Sequence, residues 1–116
     1  MDRIHYAGDS ILTGTKIAHA LLDYAQALAG VGSSDTVRIP TVEANGEAGR
    51  SEILVGPSSQ LISDAEESAW VDPVDEDLVD ELSMKAERIR QFGSPAPSVQ
   101  AQPLEEGDGW STLDEF

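Results

Sequence analysis

The stretch TVRIPTVEANGEAGRSEILV, residues 36–55, contains the clearest hairpin signal in the chain, and the rest of the predicted fold is built around it. The run Thr36–Val42 begins with alternating polar and apolar residues and the run Arg50–Val55 ends in three apolar ones, and the two flank the dipeptide Asn45-Gly46. Alternation is typical of a half-buried strand, and Asn-Gly is the dipeptide that tight hairpin turns favour. We therefore expect two antiparallel strands joined by a turn at this dipeptide.

The register of the hairpin follows from which pairing gives one apolar face. A plain two-residue turn would place Ile39 opposite Glu52, which wastes an apolar position. One additional residue, in a bulge at Ala48-Gly49, instead pairs Ile39 with Ile53 and leaves one face apolar. The same register pairs Val37 with Val55 and Thr41 with Ser51. Pro40 lacks an N–H group, so we expect it to face an unpaired edge or to interrupt the pairing.

Before the hairpin the sequence predicts one strand and one helix. Arg3–Ala7 alternates apolar and polar residues like a short strand, and residues 8–10 then interrupt it. A helix follows, from near Thr13 or Thr15 to near Ala29, because apolar residues recur there at helical spacing. The apolar stripe of this helix consists of Ile17, Leu21, Tyr24 and Leu28.

After the hairpin the sequence predicts a second helix. Asp72 can cap it, Pro73 suits its first position, and Gly93 ends it. Its apolar stripe consists of Val74, Leu78, Leu82, Ala86 and Ile89. Residues 58–63 leave open whether a further short strand forms, and residues 64–71 are expected to form an acidic loop.

These elements predict an α+β fold in residues 1–93, with the order β-α-β-β-α. We expect a small three-stranded, mainly antiparallel sheet with two helices, the first of which packs on the apolar face of the sheet. The predicted members of that face are Ile4, Tyr6, Val37, Ile39, Ile53 and Val55. A thin alanine-rich helix and a small sheet could also bury surface in a homodimer.

The charge balance limits the kinds of partner. The chain has 22 Asp and Glu against 7 Lys and Arg, a formal net charge of −15. Such a field repels phosphate backbones and anionic lipids, so we expect no direct nucleic-acid binding, no membrane binding, and a protein partner with a basic surface. The chain has no cysteine, which excludes thiolate chemistry. No basic region precedes an apolar stretch at the N-terminus, so the predicted location is cytoplasmic.

Residues 8–12, GDSIL, resemble the first sequence block of GDSL-type hydrolases, in which that serine is the nucleophile. A serine hydroxyl needs a general base that a third group orients. The resemblance implies an Asp-x-x-His block near the C-terminus, but the only histidines here are His5 and His19. We interpret the motif as a turn or cap and predict that the protein is not an enzyme. A hydrolase that uses Ser10 is kept as an alternative.

Residues 8–16 also resemble a nucleotide-binding phosphate loop. Five residues separate Gly8 from Gly14 where the motif has four, and Thr15 intervenes before Lys16. These departures would misplace the lysine ammonium, so we predict no cofactor. The two histidines and the acidic runs lack the spacing of a metal site, and we predict none.

Residues 94–116 form the second predicted region, a disordered acidic tail rich in Pro, Ser and Gln. At its end a Trp, a Leu and a Phe recur at i, i+3 and i+6 among carboxylates, a pattern suited to a basic-rimmed pocket. This end resembles the acidic, phenylalanine-ending tails of bacterial single-stranded-DNA-binding proteins, which dock onto basic pockets of partner enzymes. The predicted partner-binding residues are Trp110, Leu113, Asp114, Glu115 and Phe116.

Arg3–Leu61, which begins RIHYAGDS, resembles small uncharacterised proteins of actinobacteria, and this resemblance implies no activity. We therefore predict a non-enzymatic acidic interaction or regulatory module that binds a basic protein. One alternative is a nucleic-acid mimic whose carboxylates imitate phosphates, and the other is the hydrolase that uses Ser10.

Overall fold

The computed structural model describes residues 1–93, which contain five strands and two helices. They are β1 (Asp2–Tyr6), β2 (Asp9–Thr13), α1 (Thr15–Gly30), β3 (Asp35–Val42), β4 (Ala48–Val55), β5 (Leu61–Ala65) and α2 (Glu76–Phe92). The strands form a sheet of order β4-β3-β2-β1-β5 in which all neighbours are antiparallel. The α+β class, the two helices and the antiparallel sheet are confirmed, whereas the prediction of three strands is wrong because the sheet has five.

The first additional strand is β2, so the prediction that residues 8–10 only interrupt a strand is wrong. Ala7 and Gly8 have φ angles of 51° and 83° and form a tight turn, after which β2 runs back along β1. Positive φ at both central residues is the turn geometry that matches the twist of a hairpin. The neighbours Ile11 and Leu12 face opposite sides of the sheet, so the strand does not show the expected alternation.

β3 and β4 form the predicted hairpin with the predicted apolar face, but the predicted register is wrong. Ile39 lies opposite Ser51, and Ala48 lies directly opposite Val42, so the pairing is moved by two residues and the bulge is absent. A shift of two residues keeps every side chain on the same face, which is why the face was predictable and the register was not. The loop is residues 43–47, closed by a backbone hydrogen bond of 2.8 Å.

Pro40 lies where the pairing between β3 and β2 ends. Its carbonyl accepts a hydrogen bond of 2.7 Å from the Thr13 hydroxyl, so the backbone of Pro40 faces β2 and not β4. Within residues 1–93 the two strands pair only at Leu12 and Val42. The chain turns into α1 at Gly14, where the next ladder partner of Pro40 would lie. The missing N–H therefore removes no ladder bond, and Pro40 faces an unpaired part of the edge, which is the first of the two predicted outcomes.

α1 has nearly the predicted bounds, but α2 begins later than predicted. The side chain of Asp75, not of Asp72, caps α2 by accepting the N–H of Leu78 at 3.0 Å. Pro73 lies before the helix, where its carbonyl packs against Gly14 and leaves no room for a Cβ there. Gly93 ends α2 in the left-handed conformation, as predicted. In the described part of the chain no helix is long and apolar enough to cross a membrane.

The core lies between the sheet and α1, and α2 packs against α1. The predicted core face of the sheet is confirmed, with Tyr6 partly buried at its margin. Val74 is an exception among the helix residues, because it precedes α2 and its exposed fraction is 72 %. The largest fully buried side chains include Ile4, Ile17, Leu21, Leu28, Ile39, Leu82 and Val55.

The sheet curls so that its two outer strands approach each other at one end. β4 and β5 are the outer strands, yet only residues 56–60 separate them in the chain. At this end the hydroxyl of Tyr6 on β1 donates a hydrogen bond of 3.2 Å to the carbonyl of Leu54 on β4. β5 is the further strand that the sequence left open, and it takes the first residues of the predicted acidic loop.

Candidate functional site

The connecting segment, Glu66–Asp75, joins β5 to α2 and crosses the sheet face opposite α1. At its start the N–H of Glu66 donates to the carbonyl of Met1 at 3.0 Å. Further along, Trp70 packs on the loop between β3 and β4, where Gly46 has φ 88° and a Cβ would lie 2.7 Å from the indole. Glycine is therefore required at this position both for its backbone conformation and for the space that the indole occupies.

Arg3 anchors the connecting segment to β1. Its guanidinium donates from Nε and Nη2 to the two carboxylate oxygens of Glu66, at 2.7 and 2.9 Å, and from Nη1 to Ser10 Oγ at 3.2 Å. The hydrogen bond from Arg3 lowers the pKa of Glu66, and the hydrogen bond to Glu66 raises the pKa of Arg3. Both groups are therefore charged at neutral pH, and the bidentate pair fixes where the segment begins.

Ser10 lies on β2, opposite His5 of β1, on the sheet face that α1 leaves uncovered. His5 Nε2 is 3.2 Å from Asp64 Oδ2, so the three residue types of a hydrolase triad share one surface. However, within residues 1–93 no hydrogen bond joins Ser10 to His5, and Ser10 Oγ accepts its bond from Arg3 instead. The contact between nucleophile and base that serine catalysis requires is not formed here.

The stretch that resembles a phosphate loop is not a loop. Residues 8–16 comprise a turn, the whole of β2 and the start of α1. Gly8 and Lys16 therefore stand at opposite ends of a strand, and no cradle of backbone N–H groups can form between them. Among the described residues, no group of three or more His, Cys, Asp or Glu side chains is placed to hold a metal ion.

Asp2, at the start of β1, is a buried carboxylate that the sequence did not single out. Its Oδ1 accepts from the Thr15 hydroxyl at 2.7 Å, its Oδ2 accepts from the Ser63 hydroxyl at 2.9 Å, and His19 Nε2 lies 3.6 Å away. Burial raises the pKa of Asp2, but the two hydroxyl bonds, together with the charges of His19 and the N-terminus, lower it by more. This network ties β1, α1 and β5 together, so its role is structural.

The end of the connecting segment borders a groove between the first turns of α1 and α2. We call it the α1–α2 groove, and its volume is about 500 Å³. Two apolar side chains beside or within it are open to solvent, with exposed fractions of 90 % for Val71 and 72 % for Val74. Its lining residues are Thr15, Lys16, Ile17, Asp72, Pro73, Val74, Asp75, Glu76, Val79 and Asp80.

Carboxylates dominate the charge of the α1–α2 groove. Asp75 is used as the helix cap, and Asp72 lies 3.1 Å from the amino group of Met1. Glu76 and Asp80 form no ion pair within residues 1–93, and Lys16 is the one basic side chain in the lining. The groove therefore combines exposed apolar surface with negative charge that the domain itself does not neutralise.

Sequence reasoning missed this groove and placed the binding site in the tail. Residues 70–74, WVDPV, carry the signal that could have revealed it, because apolar side chains are interspersed there with an acidic residue and a proline outside any helix or strand. The predicted binding residues Trp110, Leu113, Asp114, Glu115 and Phe116 lie outside the described residues.

No protein-family model, curated protein or solved structure matches the chain.

Proposed function

We propose that this protein is a non-enzymatic interaction or regulatory module that binds the basic surface of another protein. The observation that carries the proposal is the α1–α2 groove, where Val71 and Val74 are exposed near Glu76 and Asp80, which form no ion pair within residues 1–93. Exposed apolar residues within a charged rim are typical of a protein interface. The sign of the rim selects a partner with lysine or arginine side chains.

A lysine or arginine side chain of the partner can contact the groove with both its aliphatic stem and its charged end. Its aliphatic stem can pack on Val74 and Val79, while its charged end reaches the carboxylates of Glu76 and Asp80. The connecting segment is already held in place, because Asp72 contacts the Met1 amino group and Pro73 packs on Gly14. A surface that is ordered before binding loses less conformational entropy on association.

The acidic tail offers a second contact for the same partner. Its predicted anchors remain Trp110, Leu113, Asp114, Glu115 and Phe116. Two weak contacts on one chain reinforce each other, because binding at the first raises the effective concentration at the second. The groove and the tail are separable, since each can be altered by substitutions that leave the other unchanged.

Titration of the full-length chain with labelled basic peptides tests the proposal. The probe is a peptide in which arginine and leucine alternate, and its control has serine in place of every leucine. We expect the arginine–leucine peptide to bind and to shift the amide resonances of residues 71–80, because both the charged and the apolar parts of the groove are used. The serine control should bind at least about tenfold more weakly, since it leaves the apolar surface uncovered.

Matched charge variants separate the groove from the overall field. Glu76→Gln with Asp80→Asn removes two groove carboxylates, and Glu47→Gln with Glu87→Gln removes two exposed carboxylates elsewhere. We expect the groove pair to weaken peptide binding by about three- to tenfold and the control pair to have a smaller effect. Equal losses would refute a specific groove. A loss confined to Trp110→Ala with Phe116→Ala would assign binding to the tail alone.

A further inference from the structure

β4 forms one outer edge of the sheet, and half of its backbone groups point away from β3. Pro40 lies opposite Arg50 but directs its carbonyl to Thr13 on β2, so these two residues form a non-hydrogen-bonded pair of the β3–β4 ladder. The N–H and C=O of Arg50 therefore point outward. By alternation, the other residues of β4 with outward backbone groups are Ala48, Glu52 and Leu54.

This edge is open over residues 48–52. The carbonyl of Leu54 is covered, because it accepts hydrogen bonds of 3.2 Å from the hydroxyls of Tyr6 and Ser59. Within the described part of the chain, the outward N–H and C=O groups of residues 48, 50 and 52 form no hydrogen bond. The side chains of these residues are exposed. An open edge without proline or bulge is a template for a further strand.

Only a few registers allow β4 to pair with β4 of a second copy about a two-fold axis. Outward groups must meet outward groups, so the axis passes through a residue of the strand and not between two residues. An axis at Arg50 places the Arg50 side chains of the two copies opposite each other, and an axis at Glu52 does the same for the two Glu52 side chains. An axis at Ser51 places Arg50 opposite Glu52 of the second copy, twice. Opposite charges directly across a ladder stabilise it and like charges destabilise it.

The neighbouring strand extends this complementarity. Arg38 on β3 already lies 3.3 Å from Glu52 across the ladder. With the axis at Ser51, Glu52 would stand between Arg38 of its own chain and Arg50 of the second copy. This register keeps the charged pairs within the open part of the edge, because the covered carbonyl of Leu54 lies beyond them. Opposite charges are therefore matched at both Arg50–Glu52 pairs in this single register.

We propose that two copies of this chain associate through β4, antiparallel about Ser51, to form a sheet that continues across both subunits. The association uses no residue of the α1–α2 groove, so it is independent of the partner binding described above. It is an interface of backbone hydrogen bonds whose register is selected by Arg50 and Glu52.

The mass of the full-length chain in solution, measured across a range of concentrations, tests this interface. We expect twice the 12.4 kDa chain mass at high concentration. Arg50→Glu and Glu52→Arg each place like charges opposite one another, so each variant alone should remain a monomer. An equimolar mixture of the two restores opposite charges at both positions and should form a heterodimer. Arg88→Glu, an equal charge change on an exposed part of α2, should leave the wild-type dimer intact.

A backbone variant and amide exchange keep the test independent of charge. Arg50→Pro removes an outward N–H but no bond to β3, so it should give a folded monomer with an unchanged circular dichroism spectrum. In the wild type, the amides of Arg50 and Glu52 should become protected as concentration rises, whereas that of Ser51, which bonds to β3, should be protected at every concentration. A monomer at millimolar concentration, a dimer that survives Arg50→Glu, or a mixture that does not associate would each overturn the proposal.

Discussion

The two hairpins, β1–β2 and β3–β4, are both fastened to α1 by a helix hydroxyl that donates to a carboxylate at the start of a strand. In the first, Thr15 donates to Asp2 at 2.7 Å, and in the second, Tyr24 donates to Asp35 at 2.6 Å. The side chain of Asp2 is only 6 % exposed, whereas that of Asp35 is 35 % exposed. A buried carboxylate requires every partner it has, and a half-exposed one can turn to water.

The difference extends to the rest of each hairpin. β1 is paired on both sides, and the second hydroxyl bond to Asp2 comes from Ser63 on β5. In the described part of the chain β4 has a neighbour on one side only, and Asp35 is approached by the half-exposed cation of Lys85 at 3.8 Å. The first hairpin thus forms the fixed centre of the fold, and the second leaves surface free for association.

The largest expected effect tests whether the two hairpins share one core. Ile4 on β1 and Ile39 on β3 are both completely buried. Ile4→Ala and Ile39→Ala should each lower the free energy of unfolding by about 2–5 kcal/mol, because each leaves a cavity in the same cluster. Urea denaturation measures both, with Ile62→Ala as a control at a site that is 60 % exposed. A loss below about 1 kcal/mol for Ile39→Ala would show that the second hairpin lies outside the common core.

The next largest effect on stability is expected at the carboxylates of Asp2 and Asp35. Asp2→Asn replaces one carboxylate oxygen, which accepts a hydrogen bond from a hydroxyl, with an amide NH₂ group, which cannot accept one. We therefore expect the free energy of unfolding to fall by about 1–3 kcal/mol. Asp35→Asn should cost less, because water can reach the site. The difference between the two losses, measured by chemical denaturation at neutral pH, gives the effect of burial on the same contact. Equal losses would contradict the distinction between the hairpins.

The pH dependence of Asp2 has a definite sign. The folded protein lowers the pKa of this carboxyl, so its stabilisation is present above the ordinary pKa of about 3.9 and is lost as pH falls towards the folded value. The wild type should therefore lose more stability than Asp2→Asn between about pH 5 and pH 2. Parallel pH profiles for the two proteins would show that the network does not favour the charged form.

A smaller effect is expected at Tyr24. Tyr24→Phe removes the hydroxyl bond to Asp35 and should cost about 0.5–1.5 kcal/mol at neutral pH. Burial, followed by the bond to Asp35, raises the pKa of Tyr24, so the neutral phenol is favoured in the folded state. The wild type should lose stability above about pH 10, the ordinary tyrosine pKa, and the variant should lose less. Tyr6→Phe is the control, and an identical alkaline profile for it and for Tyr24→Phe would contradict this assignment.

The helices and the buried face of the second hairpin could be predicted because each has one apolar side. The stripe of α1 and the alternation in β3 reflect the periods of 3.6 and 2 residues directly. The register of β3 and β4 could not be predicted from alternation, since registers two residues apart bury the same side chains. The five-residue loop also depends on Glu43, whose side chain fills the space beside Gly49. A contact of this kind leaves no periodic pattern of apolar residues in the sequence.

β2 and the start of α2 could not be predicted, and the reasons are related. Leu12 is buried on the sheet face opposite α1, so β2 is apolar on both sides and lacks the pattern of a half-buried strand. The sequence predicted Asp72 as the cap of α2, but Asp75 caps it, and Pro73 before the helix packs against Gly14, far away in the sequence. Long-range packing therefore determined both features.

The smallest expected effect is at Ser10, which belongs to the first hairpin but lies on the face opposite Asp2. Its hydroxyl oxygen accepts a hydrogen bond from the guanidinium of Arg3, and among the described residues no base is hydrogen-bonded to it. We expect mass spectrometry of the full-length chain to detect no adduct at Ser10 after incubation with a fluorophosphonate probe. Ser10→Ala should lower the free energy of unfolding by less than about 1 kcal/mol, since Arg3 keeps both bonds to Glu66. An adduct at Ser10 that His5→Gln abolishes would instead establish a serine nucleophile, and the proposal of a non-enzymatic module would have to be withdrawn.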